Sequence, residues 1–233
     1  MPSRTVAEVA AVLDHAVLKP EYTRRDLAAQ AAMCAARGVG CLCVRSVDVR
    51  EAVRLLAGTP VVVAAVIGFP HGGQRPEVKA LEARLAVADG ARELDMVLDV
   101  GALKSGDDDA VRAGIAAVVA EARPTRALVK VILETCLLSP AEIATACRLA
   151  AAAGADFVKT STGFGVRAGG PTGATPEAVR TMLETVGDRL RVKASGGIRT
   201  WDDAVAYLDM GCSRLGVGDA AAILDGGTAA GGY

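Results

Sequence analysis

Two lysine residues lie in apolar segments of the chain, where an ammonium group is costly to bury. Lys159 lies in the segment 155–163 and Lys193 in the segment 191–197, and both segments end in glycine. Burial lowers the pKa of an amine and a second cation nearby lowers it further, so that the amine becomes a nucleophile towards carbonyl carbon. The pair therefore indicates Schiff-base chemistry. The alternative is that each lysine fills space between strands and extends its ammonium group to the rim.

Lysine is scarce in this chain, so its placement is informative. Of the 26 lysine and arginine residues only six are lysine, and Lys130, Lys159 and Lys193 lie in apolar segments. Arginine cannot supply a deprotonated amine at neutral pH. Lysine chemistry is therefore expected at these three positions.

The cysteine and histidine residues form no familiar metal or disulfide motif. Six cysteines occur without a C-x-x-C pair, and the segment Cys41-Leu42-Cys43 is interpreted as small-residue packing. The two histidines, His15 and His71, are too few for the usual zinc site of an aldolase or hydrolase. We interpret His15 as a structural hydrogen-bonding residue and His71 as a loop residue, and we expect neither a metal nor a cofactor.

The composition predicts one domain over residues 1–233. Hydrophobic residues make up 52% of the chain and aromatic residues only 3%, so the core must be built from alanine, valine, leucine and isoleucine. A net charge of −1 gives no basic field for nucleic acid or an anionic membrane. The N-terminus lacks a signal-type apolar run, and the apolar run around Val61–Phe69 is too short to span a bilayer. We therefore predict a soluble, cytoplasmic protein.

Short β-type runs alternate with alanine-rich amphipathic runs along the whole chain. The predicted strands are Leu13–Leu18, Gly40–Val44, Val61–Gly68, Glu93–Asp99, Ala127–Glu134, Asp156–Thr162, Arg191–Ser195 and Arg214–Gly218. The predicted helices are Arg24–Arg37, Val47–Ala57, Pro76–Asp89, Asp109–Ala122, Pro140–Ala153, Pro176–Val186 and Trp201–Asp209. This pattern favours an α/β fold of the (β/α)₈ TIM-barrel type. A doubly wound open sheet is the alternative, but no G-x-G-x-x-G fingerprint follows the first strand.

Strand parity predicts where the polar side chains of a barrel meet. Asp95, Lys130, Lys159 and Lys193 each lie in a predicted strand, where alternate side chains share one face. If the face that carries these residues points into the barrel, an acid and three lysines converge in one cavity. A barrel core filled with branched apolar residues does not need such charges, so the cluster marks the expected site.

The residues named above lie in motifs that resemble the class I deoxyribose-phosphate aldolases over essentially the whole chain. Two motifs together are specific, Lys-Thr-Ser-Thr-Gly at 159–163 and Lys-x-x-Gly-Gly-x-Arg-Thr at 193–200. Further matching segments are 13–20, 66–70, 93–104, 130–138, 157–164 and 192–200. The resemblance implies reversible cleavage of 2-deoxy-D-ribose 5-phosphate to D-glyceraldehyde 3-phosphate and acetaldehyde, a step in deoxyribose phosphate catabolism and carbohydrate degradation.

The resemblance also implies roles for individual residues. Lys159 would form the Schiff base, Lys193 would depress its pKa, and Asp95 would relay protons. The chain ends in Tyr233, and family members commonly end in a tyrosine that assists protonation; the alternative is an incidental tyrosine on a tail. Cys43 matches a family cysteine near the aldehyde site, and we interpret it as a packed thiol.

Phosphate recognition is where the sequence departs from the family pattern. By resemblance, the residues expected to bind substrate or phosphate are Thr162, Gly163, Gly196, Gly197, Gly216, Gly218 and Asp219. The family usually has two serines where this chain has Gly218 and Asp219, and a threonine where it has Ala16. A carboxylate beside a phosphate dianion costs on the order of 1 kcal/mol. The alternative is that Asp219 caps the following helix and turns its carboxylate to the backbone.

Three functions are therefore open at the level of sequence. The first is the aldolase with sugar phosphate and aldehyde substrates. The second is a class I aldolase of the same fold that prefers a non-phosphorylated acceptor, which a carboxylate at Asp219 would favour. The third is a non-catalytic sugar-phosphate-binding barrel, which the presence of Lys159, Lys193 and Asp95 argues against. The sequence leaves the oligomeric state open, a homo-oligomer included.

Overall fold

Eight short parallel strands pair in chain order, and the last pairs with the first to close a barrel. The computed structural model describes residues 4–166, 169 and 172–229. The strands are β1 (Leu13–Val17), β2 (Cys41–Val44), β3 (Val62–Ile67), β4 (Glu93–Val97), β5 (Leu128–Ile132), β6 (Phe157–Lys159), β7 (Arg191–Ser195) and β8 (Arg214–Val217). All eight predicted strands are present, and the (β/α)₈ TIM-barrel prediction is confirmed.

Helices follow the strands and cover the outside of the barrel. They are α1 (Val6–Ala10), α2 (Arg24–Arg37), α3 (Val49–Leu55), α4 (Pro76–Ala88), α5 (Val100–Lys104), α6 (Asp108–Ala122), α7 (Pro140–Ala152), α8 (Pro176–Val186), α9 (Trp201–Asp209) and α10 (Ala220–Leu224). The seven predicted helices are present, and three short ones, α1, α5 and α10, were not predicted. Each of these three has five residues, too few for a helical period to be visible in the sequence.

Side-chain caps begin several of the helices. Ser139 and Thr200 form capping boxes at α7 and α9, and Thr175 accepts a hydrogen bond from the backbone N–H of Ala178 at α8. Asp107 caps α6, where its side chain accepts a hydrogen bond from Ala110 N–H. These caps fix where each helix starts, and so the length of each loop at the mouth of the barrel.

The core between barrel and helices is built from small and branched aliphatic side chains. The buried residues there include Leu42, Val63, Leu94, Val131 and Ala194, which lie on the outward parity of their strands. The residues that alternate with these along the strands face into the barrel, and the charged residues are among them. Within the described part of the chain, no helix combines the length and the apolar character that a bilayer crossing requires.

Candidate active site

Four adjacent strands bring the predicted acid and lysines into the barrel. Asp95 on β4 lies opposite Lys130 on β5, and Lys159 on β6 lies opposite Lys193 on β7. Each of these four side chains is at most 1% exposed. The parity argument therefore identified the inward face correctly, and the three lysines do converge on one acid.

The carboxylate of Asp95 is the centre of the cluster. Its Oδ1 accepts a hydrogen bond from Lys130 Nζ at 2.7 Å. Its Oδ2 accepts from both Lys159 Nζ at 3.0 Å and Lys193 Nζ at 2.7 Å. One carboxylate is thus shared by three ammonium groups.

Further acids and an arginine extend the cluster beneath Asp95. Asp14 accepts a hydrogen bond from Lys193 and, through Oδ1, from Arg214 Nε at 2.8 Å. Arg214 also donates to both oxygens of Glu93, at 2.8 and 3.0 Å, and Glu93 pairs with Lys130. The sequence reasoning gave no role to Asp14, Glu93 or Arg214. Their side chains supply the charge balance that keeps the lysines in a dry interior.

Burial and ion pairing act in opposite directions on these groups. Burial alone would lower the pKa of Lys193, but Asp14 and Asp95 outweigh it and hold that pKa above its ordinary range. The pKa of Lys130 is raised for the same reason. Burial would raise the pKa of Asp14, but Lys193, Lys130 and Arg214 lower it to about 2. Lys130 and Lys193 therefore remain cations, and Asp14 remains an anion, throughout the physiological pH range.

The same charges explain the state of Asp95. Burial opposes its ionisation, yet Lys130, Lys193 and Lys159 hold the pKa of its carboxyl group well below the ordinary value. Asp95 is therefore a carboxylate that accepts hydrogen bonds from the lysines.

The opposite side of the barrel interior is apolar. The buried residues there are Ala16, Leu18, Cys41, Cys43, Ala64 and Val66, and Phe69 and Phe164 pack against them. The two rings meet edge to face with centroids 5.3 Å apart. Burial raises the pKa of the Cys43 thiol to about 11, so this side chain is a protonated, packed thiol, in line with our interpretation.

Glu134, to which the sequence reasoning gave no role, connects β5 to the loop after β6. It has a left-handed backbone conformation with φ of 57°, and only 4% of it is exposed. The Thr162 hydroxyl and backbone N–H both donate to its carboxylate, and Phe164 N–H donates to the Thr162 hydroxyl at 3.0 Å. Burial raises the pKa of Glu134. The carboxyl group therefore holds in place the loop that follows Lys159.

A cavity of about 210 Å³ opens beside this connection. Its lining includes Glu134, Thr162, Phe164, His71 and Val97. Of the predicted substrate-binding residues, Thr162 lies in this lining. His71 is a loop residue there, as interpreted from the sequence.

A buried hydroxyl lies two residues after Lys159. Ser161 is fully buried, and its Oγ has no hydrogen-bond partner among the residues described. Leaving such a group unpaired costs about 1–3 kcal/mol, which a bound water or ligand would recover.

The glycine loop after β7 is tightly packed against the loop after β6. Gly196 and Gly197 have φ of 83° and 79°, a conformation that favours glycine. Ala174 N–H donates to the Ser195 and Gly196 carbonyl groups at 3.1 and 3.0 Å. A Cβ atom at Gly173 would lie 2.3 Å from the Gly196 oxygen, so a side chain there would push the two loops apart.

The geometry at Asp219 matches the helix-cap alternative rather than a phosphate contact. Asp219 Oδ1 accepts a hydrogen bond from Ala222 N–H at 3.0 Å at the start of α10. His15 Nδ1 accepts from Ala220 N–H at 3.3 Å, which agrees with its structural interpretation. Since protein acceptors already use two N–H groups of α10, this short helix has fewer donors left for a ligand.

Tyr233 lies outside the described residues. Among those described, Asp14, Cys41 and Glu93 bring potential ligand atoms within 4.8 Å of one another. The two acids of this group already bind Lys130 and Arg214, and these cations take the place that a metal would need.

Known proteins resemble this chain in sequence and in fold. The model of the DeoC/LacD aldolase family matches residues 8–216. A deoxyribose-phosphate aldolase of Mycolicibacterium paratuberculosis is 52% identical over 227 residues, which cover 95% of this chain and 98% of the relative. The enzyme of the same name from Geobacillus sp. strain WCH70 is 45% identical over 225 residues, which cover 97% of this chain and 98% of the relative. A solved structure of deoxyribose phosphate aldolase from Aeropyrum pernix, described as a unique tetramer, has a TM-score of 0.87 and 31% identity, and covers 95% of this chain and 91% of its own.

Proposed function

This chain belongs to the DeoC/LacD family of aldolases and is a carbon–carbon lyase, and from this premise we propose that it cleaves 2-deoxy-D-ribose 5-phosphate reversibly through a Schiff base. The products are D-glyceraldehyde 3-phosphate and acetaldehyde. The observation that carries the proposal is the meeting of Lys159 and Lys193 on one oxygen of Asp95 inside the barrel.

Lys159 is the nucleophile in this proposal. Lys193 and Lys130 are fixed as cations by Asp14, Asp95 and Glu93, so Lys159 shares Asp95 with two permanent charges. Neighbouring positive charge in a buried site favours the neutral form of an amine. The neutral amine adds to C1 of the open-chain sugar, and loss of water gives an iminium ion on Lys159.

The iminium ion then accepts the electron pair of the breaking bond. Asp95, acting through a water molecule held with Lys193, removes the proton of the C3 hydroxyl group. The C2–C3 electron pair becomes the second bond between C1 and C2, and the π pair of the C1–N bond moves to nitrogen. C3 therefore leaves as the aldehyde of glyceraldehyde 3-phosphate, and an enamine stays on Lys159. Protonation at C2 and hydrolysis release acetaldehyde and restore the amine. We assign assistance of the C2 protonation to Tyr233, on the family resemblance alone.

The apolar side of the barrel interior suits the smaller product. Acetaldehyde carries a methyl group, and Ala16, Cys43 and Val66 offer it a surface without charge. The thiol of Cys43 has a pKa raised to about 11, which supports a packing role rather than a nucleophilic one.

The phosphate group would bind at the loops after β6, β7 and β8. Gly163, Gly196 and Gly197 would supply backbone N–H groups, and Gly216 and Gly218 allow close approach on the other side. The N–H and hydroxyl groups of Thr162 already donate to Glu134, so Thr162 holds the loop in place rather than supplying these donors. Asp219 remains a helix cap in this arrangement. The cap removes the reason for preferring a non-phosphorylated acceptor, since the carboxylate is turned to the α10 backbone.

Borohydride trapping tests the proposal directly. Reduction in the presence of acetaldehyde should attach one ethyl group to the protein, and peptide mass mapping should place it on Lys159. The same treatment without aldehyde is the control. Labelling at Lys193 or Lys130 in place of Lys159 would overturn the assignment of the nucleophile, and absence of any adduct would overturn the Schiff-base mechanism.

Asp219 provides a test of the phosphate site. Because serine also caps helices, we expect Asp219→Ser to keep stability and leave the ratio of kcat/KM between deoxyribose 5-phosphate and deoxyribose within about twofold of the wild-type ratio. Asp219→Ala should lower the free energy of unfolding by about 1 kcal/mol, because the cap is lost. A tenfold gain for the phosphorylated substrate in Asp219→Ser would show instead that the carboxylate repels phosphate.

The partners follow from the same assignment. We propose that the chain acts in the cytoplasm on small sugar phosphates and aldehydes, without nucleic acid or membrane partners. The relative from Aeropyrum pernix is described as a tetramer, and on that basis we propose that this chain also associates with copies of itself.

A further inference from the structure

The inner face of α4 carries two charged side chains that the proposed reaction does not use. Lys79 and Glu82 lie three residues apart, on the side of the helix that Ala83 and Ala86 bury against the barrel. Lys79 is 2% exposed, and its Nζ donates to the Val97 carbonyl at 2.9 Å. Burial lowers the pKa of its amine. An apolar side chain would fill the same space at lower cost than a buried ammonium group, so a role other than packing is indicated.

The Val97 carbonyl lies beyond the end of the neighbouring strand. Leu98 N–H donates to the Ile132 carbonyl of β5 at 3.2 Å. Since the C=O and N–H groups of a trans peptide point in opposite directions, the Val97 carbonyl points to the other neighbour, β3. That strand ends at Ile67, before it reaches the level of Val97. The donor therefore comes from α4, in the form of Lys79 Nζ.

Glu82 supplies an acceptor to the end of β3 in a similar way. Gly68 follows β3 with φ of 62°, and its N–H donates to Glu82 Oε2 at 2.7 Å. The other carboxylate oxygen, Oε1, accepts from the hydroxyl of Ser46, in the turn after β2, at 2.8 Å. A Cβ atom at Gly68 would lie 3.0 Å from Lys79 Cε, so the two α4 side chains meet at this glycine. Helix α4 therefore holds the ends of β2, β3 and β4 together.

The end of β4 carries the acid of the site. Val97 lies two residues after Asp95 on β4 and lines the cavity of about 210 Å³. Asp95 Oδ2 accepts a hydrogen bond from Lys159 Nζ at 3.0 Å. A shift in the end of β4 would therefore change the distance between the acid and the nucleophile, and a displacement of about 1 Å is costly to catalysis.

The loop after β3 forms a wall of the same cavity. Pro70 lines the cavity, and Phe69 packs edge to face against Phe164. Phe69 and Pro70 follow Gly68 directly, so the position of Gly68 determines where both rings lie. Because Glu82 holds the N–H of Gly68, it supports this wall from outside the barrel.

We propose that Lys79 and Glu82 are positioning residues of the aldolase. Lys79 sets the position of Asp95 through the end of β4, and Glu82 sets the position of the cavity wall through the loop after β3. The inference rests on the proposed function and extends it to residues outside the barrel interior. Both side chains act through the backbone that they hold, and the two should therefore affect different kinetic constants.

Steady-state kinetics with deoxyribose 5-phosphate test the role of Lys79. Lys79→Met keeps the apolar stem and removes the hydrogen bond to Val97, so we expect kcat to fall about tenfold with KM within about twofold of wild type. Borohydride trapping of acetaldehyde on Lys159 should slow with it, since that lysine shares Asp95. Lys104→Met, at a surface lysine of α5, is the matched control and should keep both constants near wild type.

A second substitution at the same position keeps the test decisive if Lys79→Met does not fold. The side chain in Lys79→Gln is polar but one atom shorter, so it does not reach the Val97 carbonyl. It should give the same fall in kcat, and a wild-type kcat in a folded Lys79→Gln variant would overturn the role of Lys79.

Variants of Glu82 test the hold on the loop after β3. Glu82→Leu removes the acceptor for Gly68 N–H, so we expect KM to rise about tenfold with kcat within about twofold of wild type. Glu82→Gln keeps an oxygen for Gly68 and a polar group for the Ser46 hydroxyl, and should bring KM back to within about twofold of wild type. Ser46→Ala should raise KM about threefold, which decides the question if Glu82→Leu does not fold. Glu184→Leu, at an exposed position of α8, is the matched control.

Thermal unfolding of each variant separates positioning from stability alone. A residue that only stabilises the fold would lower the thermal midpoint and leave kcat and KM of the folded protein unchanged. That result in Lys79→Met or in Glu82→Leu would overturn the role of the residue concerned. A Glu82→Gln variant no better than Glu82→Leu would exclude the hydrogen bond to Gly68 as the cause, and the same constant changed in both variants would make the division of roles wrong.

The proposed function is tested separately, on the wild-type protein. A wild-type chain that forms no borohydride adduct with acetaldehyde overturns the aldolase mechanism, and the positioning roles with it. A wild-type chain that forms the adduct and cleaves the sugar phosphate, together with wild-type kinetics in the α4 variants, overturns the positioning roles alone.

Discussion

The Lys159→Met variant is expected to lose at least about four orders of magnitude in kcat for deoxyribose 5-phosphate cleavage, because no other side chain can form the iminium ion at that position. Methionine retains the length and apolar stem of lysine but has no amine. Asp95 keeps Lys130 and Lys193 as partners after the change, so its carboxylate stays paired and the fold should be retained. The measurement is single-turnover cleavage together with borohydride trapping.

Lys104→Met is the matched control for this variant. Lys104 belongs to the same matching segment, 93–104, as Asp95. It lies on α5, however, and pairs with Glu142 at 3.2 Å on the surface. Its loss should leave both cleavage and trapping near wild-type levels. If Lys159→Met still formed a trapped adduct and still cleaved the sugar phosphate, another lysine would be the nucleophile and the assignment would be wrong.

The strands and the inward-facing lysines could be predicted because both depend on local patterns. The alternation of apolar runs with capped amphipathic runs gave eight strands and seven helices, and strand parity placed Asp95 with Lys159 and Lys193. The extent of β6 could not be predicted. The predicted strand continues to Thr162, but the strand ends at Lys159. Beyond it, Thr160 Oγ1 donates to the Ser195 carbonyl and Thr162 Oγ1 to the Glu134 carboxylate, contacts that depend on distant parts of the chain.

The remaining members of the charge cluster could not be found by sequence reasoning because they meet only when the barrel closes. Lys193 and Asp14 are 179 positions apart, and Arg214 and Asp14 are 200 apart. Lys79 was missed for another reason. It lies on α4, where a charged residue usually faces solvent, yet it is 2% exposed and its Nζ donates to the Val97 carbonyl at 2.9 Å. Its aliphatic stem packs beside Gly68, a contact that cannot be predicted from the hydrophobic period of the sequence.

The Lys193→Arg variant tests whether the second lysine acts by charge alone. Lys193 is 1% exposed and its Nζ donates to both Asp14 and Asp95, so the ammonium group is held between two carboxylates, one on β1 and one on β4. A guanidinium group is larger than an ammonium group and planar, and a fully buried site has no room for the added atoms. We expect kcat to fall about a hundredfold or more, with slower borohydride trapping of acetaldehyde on Lys159.

Lys193→Met separates charge from geometry, and Lys104→Arg is the control for the substitution type. If a fixed positive charge near Lys159 were all that the reaction needs, arginine would keep near wild-type turnover and methionine would lose it. If the position of the ammonium group between Asp14 and Asp95 matters, both variants lose activity, and arginine also lowers the thermal midpoint because it overfills the site. The second result is expected because Asp95 Oδ2 accepts hydrogen bonds from both Lys159 and Lys193. A displaced cation at position 193 would therefore move the carboxylate away from the nucleophile. A wild-type kcat in Lys193→Arg would mean that Lys193 acts only through its positive charge.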